Sequence, residues 1–242
     1  MSDPIFAEPR LAAIYDALDP DRGDLDPYVA IVRELGAQSV LDIGCGTGEL
    51  AVLLASGGIH VVGIDPAAAS LDVARAKPYA DVVRWIVGDA TILPELQVDL
   101  AVMTGNVAQA VVADGDWSAL LRATHRSLRP AGHLVFEVRD PARRAWEAWT
   151  PERTRKCVDI PGVGRVETWC RITEIDGDRV SFRWTFRFES DATVMTSDST
   201  LRFRTRREIA SSLSVHGFEV VDVRDAPDRP GLELVFVARR RA

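Results

Sequence analysis

The stretch that decides the fold is VLDIGCGTGEL, residues 40–50. An apolar run typical of a buried strand leads into three glycines at alternate positions, Gly44, Gly46 and Gly48, and an apolar helical pattern follows them. Because glycine has no Cβ, it allows the backbone to turn sharply or to approach a ligand closely. The stretch therefore predicts a strand, a glycine turn and a helix.

The alternation of strands and helices continues beyond this unit. Strand-like apolar runs recur at residues 60–65, 82–89, 98–104 and 132–138, with helical patterns at 67–77 and 117–128. Five such strands with helical or loop crossovers favour a mostly parallel sheet covered on both faces. Two final strands, 219–224 and 232–239, would complete that sheet. We predict an α/β fold with a Rossmann-like, doubly wound, seven-stranded sheet.

The character of the sequence changes after residue 140. A helical pattern at 142–149 is followed by period-two alternation at 166–175, 179–190 and 194–204, with a hairpin signal at 176–179. This predicts an antiparallel β insert after the fifth strand. Several aromatic residues of the insert could line a pocket, although packing is the favoured role for most of them. They are Phe182, Trp184, Phe186 and Phe188 on one strand face, and Trp146, Trp149 and Trp169.

These patterns divide the chain into four predicted parts. They are two N-terminal helices (10–18 and 27–35) within residues 1–36, the core at 37–140, the helix and antiparallel insert at 141–205, and a C-terminal helix and β-hairpin at 206–242. Asp26 before Pro27 is a predicted N-cap, and so is Thr205.

The composition is that of a mildly acidic globular chain. Its 242 residues are 47% hydrophobic with a formal net charge of −7, a poor fit to disorder, collagen or a coiled coil. Residues 1–138 hold 9 Lys and Arg against 19 Asp and Glu, so a nucleic-acid partner is not expected.

Three widely spaced cysteines give no metal pattern, and neither a leader nor a long apolar run occurs. We expect a cytoplasmic protein without a membrane span.

Carboxylates follow or end three successive strands. Asp42 lies two residues before the first glycine, where an acid disfavours a phosphate and suits a cation or an amine. Asp65 comes 21 residues after Gly44, a spacing that places a carboxylate on ribose hydroxyls, and Asp89 ends the third strand. These groups should converge on the crevice at the carboxyl edge of the sheet.

The GxGxG spacing departs from the GxGxxG of a dinucleotide site, which disfavours a nicotinamide oxidoreductase.

The order of motifs resembles the class I S-adenosylmethionine-dependent methyltransferases. It runs VLDIGCGTG, VVGIDP, VGDA, DLAVMTGN and LRPAGHLVFEV, and covers about residues 36–140, with a weaker match over 206–242. The resemblance implies S-adenosyl-L-methionine as cofactor and a strand order of 3-2-1-4-5-7-6.

The resemblance also implies roles for individual residues. Gly44, Cys45 and Gly46 would pass along the methionine part, Asp65 and the following Pro66 would meet the ribose, and Asp89 and Ala90 would meet the adenine. Asp42 would order the loop and reach the amino group, Met103 and Thr104 would border the sulfonium, and Tyr15 is the N-terminal contact. Asp42 as a loop cap, Cys45 as a space filler and Tyr15 as a packed aromatic are the structural alternatives.

Candidates for the acceptor side follow the fourth and fifth strands. They are Asn106 and Gln109, then Glu137, Arg139 and Asp140, with Asn106 and Arg139 as the candidate catalytic residues. Arg139 could pair with an acceptor carboxylate or, as the favoured alternative, with Asp140. The family's nucleic-acid enzymes carry a Pro-Pro-Tyr type motif where this chain has TGNVAQ, 104–109.

The predicted function is methyl transfer to nitrogen or oxygen of a small-molecule acceptor by in-line displacement. Alternatives are an RNA or protein methyltransferase and a non-catalytic cofactor-binding module. The insert would form the acceptor side or a dimer contact, in a monomer or homodimer.

Overall fold

The computed structural model describes residues 2–93 and 96–241. The strands, numbered in chain order, are β1 (Ser39–Ile43), β2 (His60–Asp65), β3 (Arg84–Val87), β4 (Val98–Met103), β5 (Leu128–Arg139), β6 (Lys156–Ile160), β7 (Gly164–Asp176), β8 (Arg179–Phe188), β9 (Val194–Arg202), β10 (Phe218–Asp225) and β11 (Glu233–Arg240). The α-helices are α1 (Pro4–Ala7), α2 (Pro9–Ala12), α3 (Tyr15–Leu18), α4 (Asp26–Glu34), α5 (Glu49–Ser56), α6 (Ala68–Arg75), α7 (Val107–Ala110), α8 (Asp114–Ser127), α9 (Pro151–Thr154) and α10 (Arg206–Val215).

Seven strands form the main sheet in the order β10-β11-β5-β4-β1-β2-β3. β1 pairs in parallel with β2 and β4, and β3 and β5 continue the parallel set on either side. β11 runs antiparallel to both β5 and β10. Counted within this sheet, the order is 3-2-1-4-5-7-6, so the predicted fold class is confirmed.

Both faces of the sheet are covered, because apolar residues on its strands alternate between two cores. Leu41 and Ile43 of β1 face one core, which includes Trp117 and Leu121 of α8. Val40 of the same strand faces the other, with Ile31 and Val32 of α4 and Leu50 and Leu54 of α5. Asp42 alternates with Leu41 and Ile43, so its side chain leaves β1 on the α4 side.

The insert is a separate four-stranded antiparallel sheet, β6-β7-β8-β9. Its Val166, Phe186 and Phe188 pack on Leu11 and Ile14 of residues 4–25, which we call the N-terminal segment. The same segment contacts the core through the Phe6 carbonyl, which accepts a hydrogen bond from Ser70 Oγ at 2.9 Å. The N-terminal helices therefore join the insert to α6, which packs beside the main sheet.

Three local predictions were wrong. Residues 142–149 form two 3-10 turns, Pro141–Arg143 and Ala145–Ala148, because Arg144 between them has a left-handed backbone with φ +47°. Residues 10–18 are split between α2 and α3. Asp26 is the first residue of α4 rather than its cap, and Leu25 before it makes no side-chain cap. Thr205, in contrast, caps α10 in a complete capping box with Glu208.

No helix within the described ranges has both the length and the apolar composition needed to cross a membrane.

Gly48 is the N-cap residue before α5 and has φ +79°; a Cβ there would lie 2.6 Å from the Trp85 ring and 2.8 Å from the Ala74 Cβ. Gly58 has φ +82° with open space around that position. Gly58→Ala should therefore lower the free energy of unfolding by the backbone strain alone, about 1 kcal/mol, whereas Gly48→Ala adds overpacking of about 1–3 kcal/mol. Urea unfolding of both variants measures the difference; equal losses would contradict the packing role of Gly48.

Candidate active site

The glycine loop is held against the end of β2. The amides of Gly44 and Cys45 donate to the Ile64 carbonyl at 2.8 and 3.2 Å, and Gly48 N donates to the Cys45 carbonyl at 2.8 Å. Gly44 has φ +70°, and a Cβ there would collide with the Val107 side chain. Burial raises the pKa of the Cys45 thiol well above its usual range, so the thiol stays protonated and acts as a spacer.

Asp65 links that loop to the second strand. Its Oδ2 accepts a hydrogen bond from Gly46 N at 2.9 Å, and its Oδ1 accepts one from Ala67 N at 2.7 Å. Burial raises the pKa of Asp65, although the two amides act in the opposite direction. Pro66 beside it is exposed. The carboxylate is thus fixed at the carboxyl end of β2, directly against the loop.

Asp42 is fully buried, and neither of its carboxylate oxygens has a hydrogen-bond partner within the described part of the chain. Burial, with the charges of Asp65 and Glu137, raises the pKa of Asp42 to about 7. A buried acid without donors is costly unless a ligand supplies them. The amino group of S-adenosylmethionine is a cationic donor, so the residues present fit that cofactor.

Glu137 is a second buried carboxyl group, 4% exposed, at the end of β5. The Tyr28 hydroxyl of α4 donates a hydrogen bond to its Oε2, and the backbone amide of Asn106 donates to its Oε1 at 2.8 Å. Burial raises the pKa of Glu137 to about 7, against the effect of both hydrogen bonds.

A cavity of about 330 Å³ opens beside these groups. Its walls come from the N-terminal segment, the ends of β4 and β5, the insert sheet and the turn between β10 and β11. Five of the predicted site residues line it: Tyr15, Thr104, Asn106, Glu137 and Arg139. Met103 is fully buried in the hydrophobic core, so its side chain does not border the cavity.

Arg139 has different partners from those expected. Its Nε lies 3.4 Å from Glu233 Oε1, and its guanidinium stacks 5.0 Å from the centre of the Trp149 ring. Asp140 instead accepts a hydrogen bond from Ala142 N at 2.9 Å. The expected Arg139–Asp140 pair was therefore wrong. Gln109 is buried, and its Oε1 accepts a hydrogen bond from Arg139 N at 2.9 Å.

Asp89 is not among the described residues that line the cavity. Asp89 is exposed and accepts a hydrogen bond from Thr91 N at 2.8 Å, which caps the short 3-10 turn Ala90–Ile92. The contact of Asp89 and Ala90 with the adenine stays a prediction.

The N-terminal segment is tied to the glycine loop by polar contacts that sequence reasoning missed. Thr47 Oγ1 donates to Asp16 Oδ1 at 2.6 Å, and Lys77 Nζ lies 2.6 Å from Asp16 Oδ2 and also pairs with Glu49. Tyr15 is adjacent to Asp16, so these bonds hold it over the cavity. The segment lies across the carboxyl edge of the sheet.

Sequence reasoning also missed Tyr28 and Thr168. Thr168 in the middle of β7 is fully buried and lines the cavity, and its Oγ1 has no hydrogen-bond partner among the described residues. An aromatic residue in a helix and a threonine in an alternating strand carry no local signal of such roles.

Part of this chain is similar in sequence to known methyltransferases. Residues 40–132 match the family described as "Methyltransferase domain". A cypemycin N-terminal methyltransferase from Streptomyces is 33% identical over 59% of this chain and 60% of its own length. A ubiquinone/menaquinone biosynthesis C-methyltransferase from Rubrivivax gelatinosus is 27% identical over 89% of this chain and 75% of its own length. The chain thus spans less than two thirds of the first of these relatives.

Among solved structures, an amino pentose methyltransferase from Micromonospora echinaspora with bound S-adenosylmethionine superposes with a TM-score of 0.70. It is 23% identical, and the match covers 94% of this chain and 95% of that one. This likeness shows that the two chains share a fold.

The pH dependence of stability should report on Asp42. The pKa of Asp42 is about 7 in the folded protein and near 4 in the unfolded chain, so between these values only the folded protein keeps the proton. The free energy of unfolding is therefore highest below pH 4 and falls as the pH rises to about 7. Asp42→Asn removes this loss, on the order of 4 kcal/mol. Because histidines titrate in the same window, the test compares urea unfolding of both proteins from pH 4.5 to 8. Parallel pH profiles would contradict the assignment.

Thr168→Val should stabilise the protein, because it removes a buried hydroxyl that has no partner. We expect the free energy of unfolding to rise by about 1 kcal/mol. Thr154→Val is the matched control: that hydroxyl donates to the Thr150 carbonyl at 2.7 Å and accepts from Cys170 N at 2.8 Å, so its loss should destabilise. Thermal unfolding of both variants measures the sign, and a loss of stability in Thr168→Val would show that its hydroxyl is already satisfied.

Proposed function

We propose that this chain is a class I S-adenosylmethionine-dependent methyltransferase and that it methylates a nitrogen or oxygen atom of a small molecule bound in the 330 Å³ cavity. The observation that carries the proposal is the position of this cavity. It begins where Thr104, Gly105 and Asn106 leave β4 and where Glu137 and Arg139 end β5. In an open α/β sheet, this carboxyl edge is where ligands bind.

The cofactor supplies a methyl group on a sulfonium sulfur. We assign its methionine part to Gly44, Cys45 and Gly46, its amino group to the unpartnered Asp42, and its ribose to Asp65 with Pro66 beside it. Asp89 and Ala90 are proposed for the adenine. Thr104 borders the sulfonium with its side chain and Met103 only with its backbone.

The size and walls of the cavity support a small acceptor. A volume of about 330 Å³ lies at the low end for ligand pockets. Trp184 and Phe186 of the insert and Tyr15 of α3 form part of its walls. Holding the acceptor in line with the methyl group can contribute about 7–11 kcal/mol toward the barrier. We therefore propose that the insert sheet forms the acceptor side of the active site.

A peptide amino terminus is a second candidate acceptor, favoured by the relative described as a cypemycin N-terminal methyltransferase. Methylation of RNA would require a positively charged face. The acidic balance of the first 138 residues, 9 Lys and Arg against 19 Asp and Glu, weighs against RNA. We propose a cytoplasmic enzyme, as a monomer or a homodimer.

Isothermal titration with S-adenosylmethionine tests the cofactor assignment. Asp65→Ala removes both the proposed ribose contact and the hydrogen bond to Gly46 N. Loss of hydrogen bonds to a charged group should weaken binding by about 10- to 100-fold. Asp72→Ala is the matched control, because Asp72 is an exposed acid on α6 that pairs with Arg75.

Unchanged affinity in Asp65→Ala, or equal losses in both variants, would contradict the assignment. Wild-type protein that binds NADH and not S-adenosylmethionine would indicate an oxidoreductase instead. Cofactor binding without turnover of any acceptor would indicate a non-catalytic binding module.

A further inference from the structure

We infer that the cavity takes a small primary or secondary amine, and that Glu137 binds this amine and removes its proton before methyl transfer. The inference rests on the proposed function and goes beyond it in naming the acceptor class and the base.

The carboxylates in the cavity wall outnumber its cations. Its lining carries six carboxylates, Asp16, Asp19, Asp24, Glu137, Asp228 and Glu233, against four cations, Arg22, Arg139, Lys156 and Arg229. Three of these cations pair with carboxylates of the lining and the fourth contacts a neutral carbonyl, while Asp16 pairs with Lys77 outside the lining. Arg22 pairs with Asp24 at 3.0 Å, Arg139 and Arg229 share Glu233 at 3.4 and 2.7 Å, and Lys156 donates to the Leu18 carbonyl.

Glu137 is the buried carboxylate that this arrangement leaves without a cation. Within residues 2–93 and 96–241, no Lys, Arg or His nitrogen lies within 4.0 Å of it. Each of its oxygens accepts one hydrogen bond, from Tyr28 and from Asn106 N, and each carboxylate oxygen can accept a second. Glu137 can therefore accept a hydrogen bond from an ammonium group in the cavity.

Two further oxygens in the walls lack hydrogen-bond partners among the residues described; the Asn106 amide oxygen can only accept, whereas the Thr168 hydroxyl can accept or donate. Thr168 Oγ1 in the insert and Asn106 Oδ1 after β4 are both buried and unpartnered in the described structure. An ammonium or amine brings N–H donors, whereas a carboxylate acceptor would bring only further acceptors. An anion would also face Glu137, which has no Lys, Arg or His nitrogen within 4.0 Å in the described part of the chain.

Aromatic side chains in the cavity wall also favour a cationic ligand. Tyr15, Tyr28, Trp184 and Phe186 line the same cavity. The faces of such rings attract an ammonium group, more strongly when it is shielded from water.

The proton balance of the step follows from the position of Glu137. An ammonium N–H bond breaks, and its proton goes to a carboxylate oxygen of Glu137. The nitrogen lone pair then forms a bond to the methyl carbon, while the bond from that carbon to sulfur breaks and leaves its electron pair on sulfur. The methylated product leaves as an ammonium ion, and Glu137 returns its proton to water.

Burial makes this transfer more favourable. A dry environment raises the pKa of a carboxyl group and lowers that of an ammonium group, so the two approach each other. The pKa of Glu137 is raised to about 7 by burial, with Tyr28, Glu233 and Arg229 as its neighbouring titratable groups.

The test is calorimetric titration of the full chain saturated with S-adenosylhomocysteine, which measures acceptor binding without turnover. The probes are three matched pairs that differ by an amino or a hydroxyl group: ethanolamine and ethylene glycol, glucosamine and glucose, and 2-phenylethylamine and 2-phenylethanol. We expect at least one amine to bind with saturation, and its hydroxyl partner to bind about tenfold more weakly or worse.

The variants are Glu137→Gln, Thr168→Val and, as a matched control, Glu174→Gln at an exposed position of the insert. Glu137→Gln should weaken binding of the amine by about tenfold or more, and Thr168→Val by about threefold to tenfold. Glu174→Gln should bind as the wild type does. Should Glu137→Gln fail to fold, Thr168→Val carries the same comparison.

Three results would overturn the inference. A hydroxyl probe could bind as tightly as its amine partner, or none of the amines could bind. The third result is that the variants at both Glu137 and Thr168 bind the amine as tightly as the wild type does. A titration with S-adenosylmethionine distinguishes failure of this inference from failure of the proposed function. If the wild type binds S-adenosylmethionine and no amine, only this inference fails. If it does not bind S-adenosylmethionine, the proposed function fails and this inference fails with it.

Discussion

Three carboxyl groups kept out of water at one edge of the sheet constrain the rest of the structure. Asp42, Asp65 and Glu137 stand on β1, β2 and β5, and all three are buried. The parallel arrangement brings the ends of these strands to the same edge. Asp65 is satisfied by backbone amides, and Glu137 by Tyr28 and Asn106 N. Asp42 has no partner in the described structure, so a donor from a ligand would satisfy it.

The covering elements have to exclude water from this edge without filling it. The N-terminal segment lies over it, held to the glycine loop by Asp16 and Thr47 and to the insert by Leu11 and Ile14. The insert contributes Thr168, Trp184 and Phe186 to the opposite wall. What stays between them is the 330 Å³ cavity. The cavity is thus covered by two segments that are far apart in the sequence, residues 4–25 and 156–202.

The sequence was most informative where a role depends on neighbouring residues. The glycine turn, the acids at strand ends and the cap at Thr205 are encoded within a few positions, and the structure has all of them. Prediction failed where backbone conformation overrides a pattern, as at Arg144, which breaks the expected helix with φ +47°. Contacts between distant segments carry no local signal. Tyr28 meets Glu137 across 109 residues, and Arg139 pairs with Glu233 rather than its neighbour Asp140.

The proposed function requires the glycine loop and the cavity to form one methyl-transfer site. A crystal structure of the protein with S-adenosylhomocysteine tests it most directly. The ribose hydroxyls should lie within hydrogen-bond distance of Asp65, the amino group should contact Asp42, and the sulfur should face the cavity next to Thr104. A nucleoside bound elsewhere, or a sulfur that faces away from the cavity, would contradict the proposed function.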